Sequence, residues 1–99
     1  MKIKFLQLAE QELEEAVEYY EDQKPGLGFE FFEEVWAVIE RIKQYPTAWQ
    51  FISQRTRRCQ THRFPYGVIY QIREEENEIL IVAVAHLHQK PSYWRNRIE

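Results

Sequence analysis

The sequence predicts an α+β fold: an N-terminal strand and a helical hairpin packed on a mostly antiparallel sheet. Three observations carry that prediction. Apolar residues recur at helical spacing between about residue 9 and residue 45, interrupted once by Lys24-Pro25-Gly26-Leu27-Gly28. Before that stretch, residues 2 to 8 (K-I-K-F-L-Q-L) alternate as a strand does. After it come extended, β-branched runs separated by turn residues.

Each element follows from its side-chain pattern. In the first strand Ile3 and Phe5 point inward, with Leu6 or Leu8. Leu13, Ala16, Val17 and Tyr20 then fall at i, i+3, i+4 and i+7, one stripe of a helix over residues 9 to 23. Glu10, Glu12, Glu14, Glu15 and Glu18 take the remaining positions as a solvated acidic face. Pro25 and the two glycines stop this helix. A second runs from about Gly28 to Tyr45, with Phe31, Val35, Val38 and Ile42 widened by Phe32, Trp36 and Ile39. So short a break folds the two helices back as a hairpin. Residues 57 to 63 (R-R-C-Q-T-H-R) read as a polar strand, Phe64 to Gly67 as a turn, and residues 68 to 73 as a strand. Residues 74 to 77 turn the chain again, and residues 78 to 87 form its strongest strand.

That last strand carries a conflict. Ile79 to Ala85 are apolar at every position, so both faces want burial. Two adjacent helices shield only one. The second face is covered by the segment around Trp49 and Phe51, by the C-terminal tail, or by a partner, and a partner is the expectation here.

Composition sets the limits. Ninety-nine residues, 44% hydrophobic and 15% aromatic, suit one domain spanning 1–99. A single cysteine, Cys59, fits a reducing cytoplasm, and neither a signal run nor a membrane span is evident. The net charge of −3 conceals a dipole. Residues 1–50 hold 5 Lys and Arg against 11 Asp and Glu, a balance of −6; residues 51–99 hold 8 against 5, a balance of +3. An anionic partner is steered toward the second half; the alternative is an acidic helix face opposite ordinary surface arginines.

The chemistry-bearing residues also lie in the second half. With glycine only at 26, 28 and 67, the chain has no phosphate-binding glycine loop, no Cys-x-x-Cys and no serine elbow. His86 and His88, two apart on a strand, share a face and suit proton transfer near neutral pH, or simply backbone hydrogen bonding. A metal would need further ligands beyond these and His62, so no metal and no cofactor is expected. Arg55, Arg57, Arg58 and Arg63 form the densest basic run, fit for phosphate, for an acidic protein, or for guarding a sheet edge. Tyr93-Trp94-Arg95-Asn96-Arg97 could stack on bases, or Trp94 could plug the core.

Taken in order, several pieces resemble the RelE/ParE toxin superfamily, and within it the ParE, or plasmid-stabilisation, branch. They are A-E-Q-E-L-E-E-A-V-E-Y-Y-E from Ala9, G-L-G-F-E-F-F-E-E-V from Gly26, and the proline and tryptophan of Pro46 to Trp49. Arg57-Arg58, F-P-Y-G-V-I-Y at Phe64 to Tyr70, and A-H-L-H-Q-K-P-S-Y-W-R-N-R at Ala85 to Arg97 complete the set. The resemblance implies the toxic half of a type II toxin–antitoxin pair, wrapped by a cognate antitoxin, as a homodimer or as a heterotetramer with it. It also implies one of two targets. ParE-like toxins inhibit DNA gyrase without chemistry of their own; RelE-like toxins cut messenger RNA on the ribosome.

The positions that match the nuclease residues here are Arg58, Gln60, Gly67, His88 and Trp94, with Tyr93 one step away. Cutting by 2′-hydroxyl attack needs a base, an acid and cations. Only Arg58 keeps its charge, so gyrase is the expected target, and a nuclease would use Arg58, His86 or His88. Arg57, Arg58, Arg63, His88, Lys90, Tyr93, Trp94, Arg95 and Arg97 are the expected contact residues. A scaffold that has lost its activity is the remaining reading.

Overall fold

The computed structural model describes residues 1–98. The chain runs β1 (Lys2–Phe5), α1 (Gln7–Gln23), α2 (Leu27–Gln44), β2 (Gln50–Phe51), β3 (Arg57–Gln60), β4 (Tyr66–Arg73), β5 (Glu78–His86) and a closing 3₁₀ turn (Arg95–Arg97). The five strands lie in the order β1-β5-β4-β3-β2. All neighbours are antiparallel except β1, which joins β5 in parallel.

The boundaries differ from the sequence reading for local reasons. The first strand stops at Phe5, because extended Leu6 caps α1 (φ −67°, ψ 148°) and Leu8 is already helical and half exposed. The β3 strand ends at Gln60 rather than residue 63. The Thr61 hydroxyl donates to the Phe64 carbonyl (2.6 Å), its amide donates to the Tyr66 carbonyl (3.0 Å), and Tyr66 and Gly67 therefore belong to β4. The two-residue β2 was not foreseen. Its Phe51 sits under the Arg57 guanidinium at 3.7 Å, and the side-chain period of two residues carries no signal in so short a piece.

The helical hairpin closes around Gly28. A Cβ there would lie 2.5 Å from the Val17 carbonyl oxygen, so a side chain would force the helices apart. Glu21 fixes the joint by accepting the amides of Gly26 (2.9 Å) and Gly28 (3.1 Å). The hairpin buries Phe31, Val35, Val38, Ile39 and Ile42 against Val68, Tyr70, Ile79, Ile81 and Val84.

The opposite face of the sheet corrects the expectation that a partner covers it. Ile69, Leu80, Val82, Ala83 and Ala85 form a second cluster, closed by Trp94, with Ile52, Tyr93 and Ile98 packed around it. Every residue from Ile79 to Ala85 is at most 6% exposed. The C-terminal tail, aided by the β2–β3 loop, seals this face, so the uniformly apolar strand is satisfied within its own chain. The register explains which residues go where. Tyr70 pairs with Ile81 and Ile69 with Ala83, leaving Val82 as a bulge. Parity flips there: Val82 and Ala83 both face the tail, and Val84 returns to the helices.

Candidate functional site

Beyond Phe5 the β5 edge has no strand beside it, and side chains occupy its hydrogen-bonding groups. Glu12 of α1 accepts the Val84 amide (3.0 Å), Arg97 donates to the Val82 carbonyl (3.1 Å), and Gln89 accepts the His86 amide (3.0 Å). Such capping blunts an edge against unwanted pairing. The same Glu12 carboxylate takes two bonds from Arg97, at 2.8 and 2.9 Å, and one from the Tyr93 hydroxyl at 2.7 Å. Burial and the hydrogen bond to Glu12 push the Tyr93 phenol well above its ordinary range, so it stays a donor. The bond to Glu12 likewise raises the Arg97 guanidinium.

This latch places Trp94 over the sheet, and a cleft of about 150 Å³ opens beside it. Arg58, His86 and Lys90 line its polar side, and Ile52, Ile69 and Trp94 its apolar side. Arg58, which pairs with Ile69 in the register, reaches the cleft by running its stem across Gly67, which has no side chain. A Cβ on Gly67 would lie 2.9 Å from Arg58 Cδ and 3.0 Å from its Cγ. The Arg58 stem thus occupies the space that any other residue at position 67 would need.

His86 lines the cleft, and its ring stands edge to face with that of His88, with centroids 5.0 Å apart. The β5 strand ends at His86, so the pair is joined by a turn rather than by strand alternation: the His88 amide donates to His86 Nδ1 at 3.1 Å. A neutral His86 then keeps its proton on Nε2. Its other face meets the Tyr66 ring at 5.1 Å. Among the described residues no group of three His, Cys, Asp or Glu gathers as a metal site.

The residues expected to form one contact surface are divided by the fold. Arg58 and Lys90 stay together at the cleft, while the exposed His88 lies outside its lining and touches it only through the His86 ring. Trp94, expected as a contact, is 2% exposed and belongs to the core. Arg97 and Tyr93 are held in the latch. Arg57 is anchored by donating to the carbonyls of Thr47 (3.0 Å) and Trp49 (2.8 Å). Arg63 pairs with Glu30 (3.1 Å) and Glu34 (3.2 Å) of α2, where Glu34 also accepts the amides of His62 and Arg63. Burial pushes the Glu34 carboxyl up, but these hydrogen bonds outweigh it and hold the group below its ordinary range. Arg95 is exposed and lies across Trp94 from Arg58, in a separate cleft.

A different surface escaped the sequence reading. Between α1 and α2, Phe5, Leu13, Val17, Phe32 and Trp36 line an open groove of about 660 Å³. Glu10, Glu14, Glu18, Glu21 and Asp22 rim it. Trp36, expected to widen the buried stripe, is 41% exposed, and Phe29 on the same helix is 63% exposed. The signal was present in a second helix whose apolar arc is wider than one sheet face can cover.

A helical hairpin on a five-stranded, mostly antiparallel sheet is a fold with RelE- and ParE-type structural neighbours. The model of the ParE toxin of type II toxin–antitoxin systems, parDE, matches residues 3–91, and the chain belongs to that family. The fold is similar to that of a solved chain from the chromosomal ParDE toxin–antitoxin system of P. aeruginosa, with a TM-score of 0.63 and 15% identity over 89% of this chain and 97% of that one. It is also similar to a free-state arginine-to-alanine double mutant of the E. coli toxin RelE, with a TM-score of 0.64 and 13% identity over 99% of this chain and 97% of that one. No curated protein matches the sequence. Among the described residues no helix is long and apolar enough to cross a membrane.

Proposed function

We propose that this ParE-family toxin acts by binding and inhibiting DNA gyrase, and that a cognate antitoxin neutralises it. One observation carries the choice of binding over chemistry. The post-turn position that matches a nuclease arginine is Gly67, and the Arg58 stem fills the space above it. A phosphorane formed during RNA cutting needs several cations converging on one centre. Here the cleft offers Arg58 and Lys90 at its lining, while Arg57, Arg63 and Arg97 are tied elsewhere. A nuclease remains the second reading because Arg58 and His86 line the same cleft.

The antitoxin is better matched to the groove between the helices than to the sheet, whose faces are both closed. An apolar floor with five carboxylates around it suits an amphipathic segment bearing Leu, Ile or Phe on one side and Lys or Arg on the other.

Supercoiling by purified gyrase tests the reading. Inhibition that drops at least tenfold for Arg58→Gln or Lys90→Gln, in variants that still fold, supports it. Uninhibited gyrase at toxin concentrations well above that of the enzyme overturns it.

A further inference from the structure

Across Trp94 from the Arg58 cleft lies a second basic depression, of about 420 Å³. It is built from the loop between β2 and β3, the end of β4 and the closing 3₁₀ turn, and it contains Arg55, Arg73 and Arg95. The loop is closed by the amides of Ile52 (2.8 Å) and Ser53 (3.3 Å), both donating to the Thr56 carbonyl, and Thr56 is fully buried. Gln71 extends the scaffold: its Nε2 donates to Thr56 Oγ1 at 3.4 Å, and its Oε1 is 3.5 Å from Arg73 Nη2. Gln71 thus gives Arg73 one long side-chain contact on the floor of the depression.

Two features suit the depression to an anion. Among the described residues the ion pairs involve Arg63 and Arg97, and none involves Arg55, Arg73 or Arg95. Three guanidinium groups around one depression repel one another. In addition, Arg73 Nε is buried without a partner, one of two such side-chain nitrogens among the described residues. An unpaired buried donor on a charged group is costly, and native structures retain one where a ligand or water completes it.

The chemistry of the lining selects the anion. Ser53, Thr56 and Gln71 add hydroxyl and amide groups to the three guanidinium groups, and among the described residues no carboxylate lines the depression. A carboxylate has two oxygens and saturates one guanidinium, whereas a phosphate presents more acceptors and more charge to several donors at once. We propose that this depression is a phosphate-binding site, for phosphate either free or carried on a nucleic-acid backbone. The site is independent of the gyrase reading, because Arg58 and Lys90 line the other cleft.

The test follows the backbone amide resonances of Gln54, Arg55 and residue 73 by NMR, with the Arg73 Nε–H resonance added in the parent protein, while inorganic phosphate replaces chloride at constant ionic strength. A second arm uses a single-stranded DNA dodecamer without terminal phosphates, and a third uses hexaglutamate. Saturable shifts with phosphate, weakened at least tenfold in Arg73→Gln and in the exposed Arg95→Gln, support the site. Parallel loss of dodecamer binding would assign it to a nucleic-acid backbone, and binding of inorganic phosphate alone would assign it to free phosphate. Shifts that chloride reproduces, binding retained in both variants, or a preference for hexaglutamate over phosphate would each overturn it. Arg95→Gln lies on the surface, so a folding failure of the Arg73 variant leaves the result readable.

Discussion

Arg97 grips Glu12 with both guanidinium nitrogens, at 2.8 and 2.9 Å, across 85 positions of sequence. Their side chains are only 11% and 18% exposed, so the pair is shielded from the solvent that weakens most surface ion pairs. One carboxylate thereby fastens helix α1, the free edge of β5 and the tail that carries Trp94.

Glu12→Gln should therefore destabilise the whole domain and not merely its end. Losing one partner of a shielded, hydrogen-bonded pair costs about 2–4 kcal/mol. We expect Arg97→Gln to cost a similar amount and the double variant to cost less than their sum, because each single change leaves the other group stranded. Urea titration read by tryptophan fluorescence measures all three. Additive losses would show that the tail is held by Trp94 alone.

Tyr70 sets an alkaline limit. Its side chain is fully buried and its hydroxyl donates to the Pro46 carbonyl at 2.6 Å. Burial pushes its pKa up to about 12, from an ordinary value of 10.0. For an acid raised in the folded state, the stabilisation is fully present below pH 10 and is lost as pH climbs from there toward about 12. The loss amounts to roughly 2–3 kcal/mol from this one group. In Tyr70→Phe the fall in denaturation midpoint over that window should be visibly shallower than in the parent protein. An unchanged slope would place the alkaline sensitivity elsewhere, with Tyr93 the next candidate.

The groove between the helices should separate neutralisation from folding. Trp36→Glu adds a sixth carboxylate to an already acidic groove, at a position 41% exposed. We expect a change in stability within about 1 kcal/mol. Toxicity should persist and rescue by the co-expressed antitoxin should fail. Full rescue would show that the antitoxin grips another surface.

Much of the fold was legible in the sequence, and the reasons are local. The stripe of Leu13, Ala16, Val17 and Tyr20, the Pro25–Gly28 break and the β-branched run of β5 each state their structure within a few residues. What stayed hidden depends on distance. Glu12 reads as one more solvated glutamate until the tail, 85 residues on, returns to meet it. For Trp94 the sequence allows both a plug and a contact, because nothing nearby shows which way the chain turns after Pro91; in the fold it is the plug. The Val82 bulge flips the parity of β5, so no alternation rule could assign its faces. The division of the arginines was equally hidden: Arg57 and Arg63 are consumed by carbonyls and carboxylates that lie next to them only in space.

The most direct test of action by binding alone is to map transcript ends in a translating extract that receives the purified protein. Transcripts should stay as intact as in the untreated extract. New 5′ ends that appear with the parent protein and vanish with Arg58→Gln and His86→Ala would contradict it and make the cleft beside Trp94 a nuclease centre.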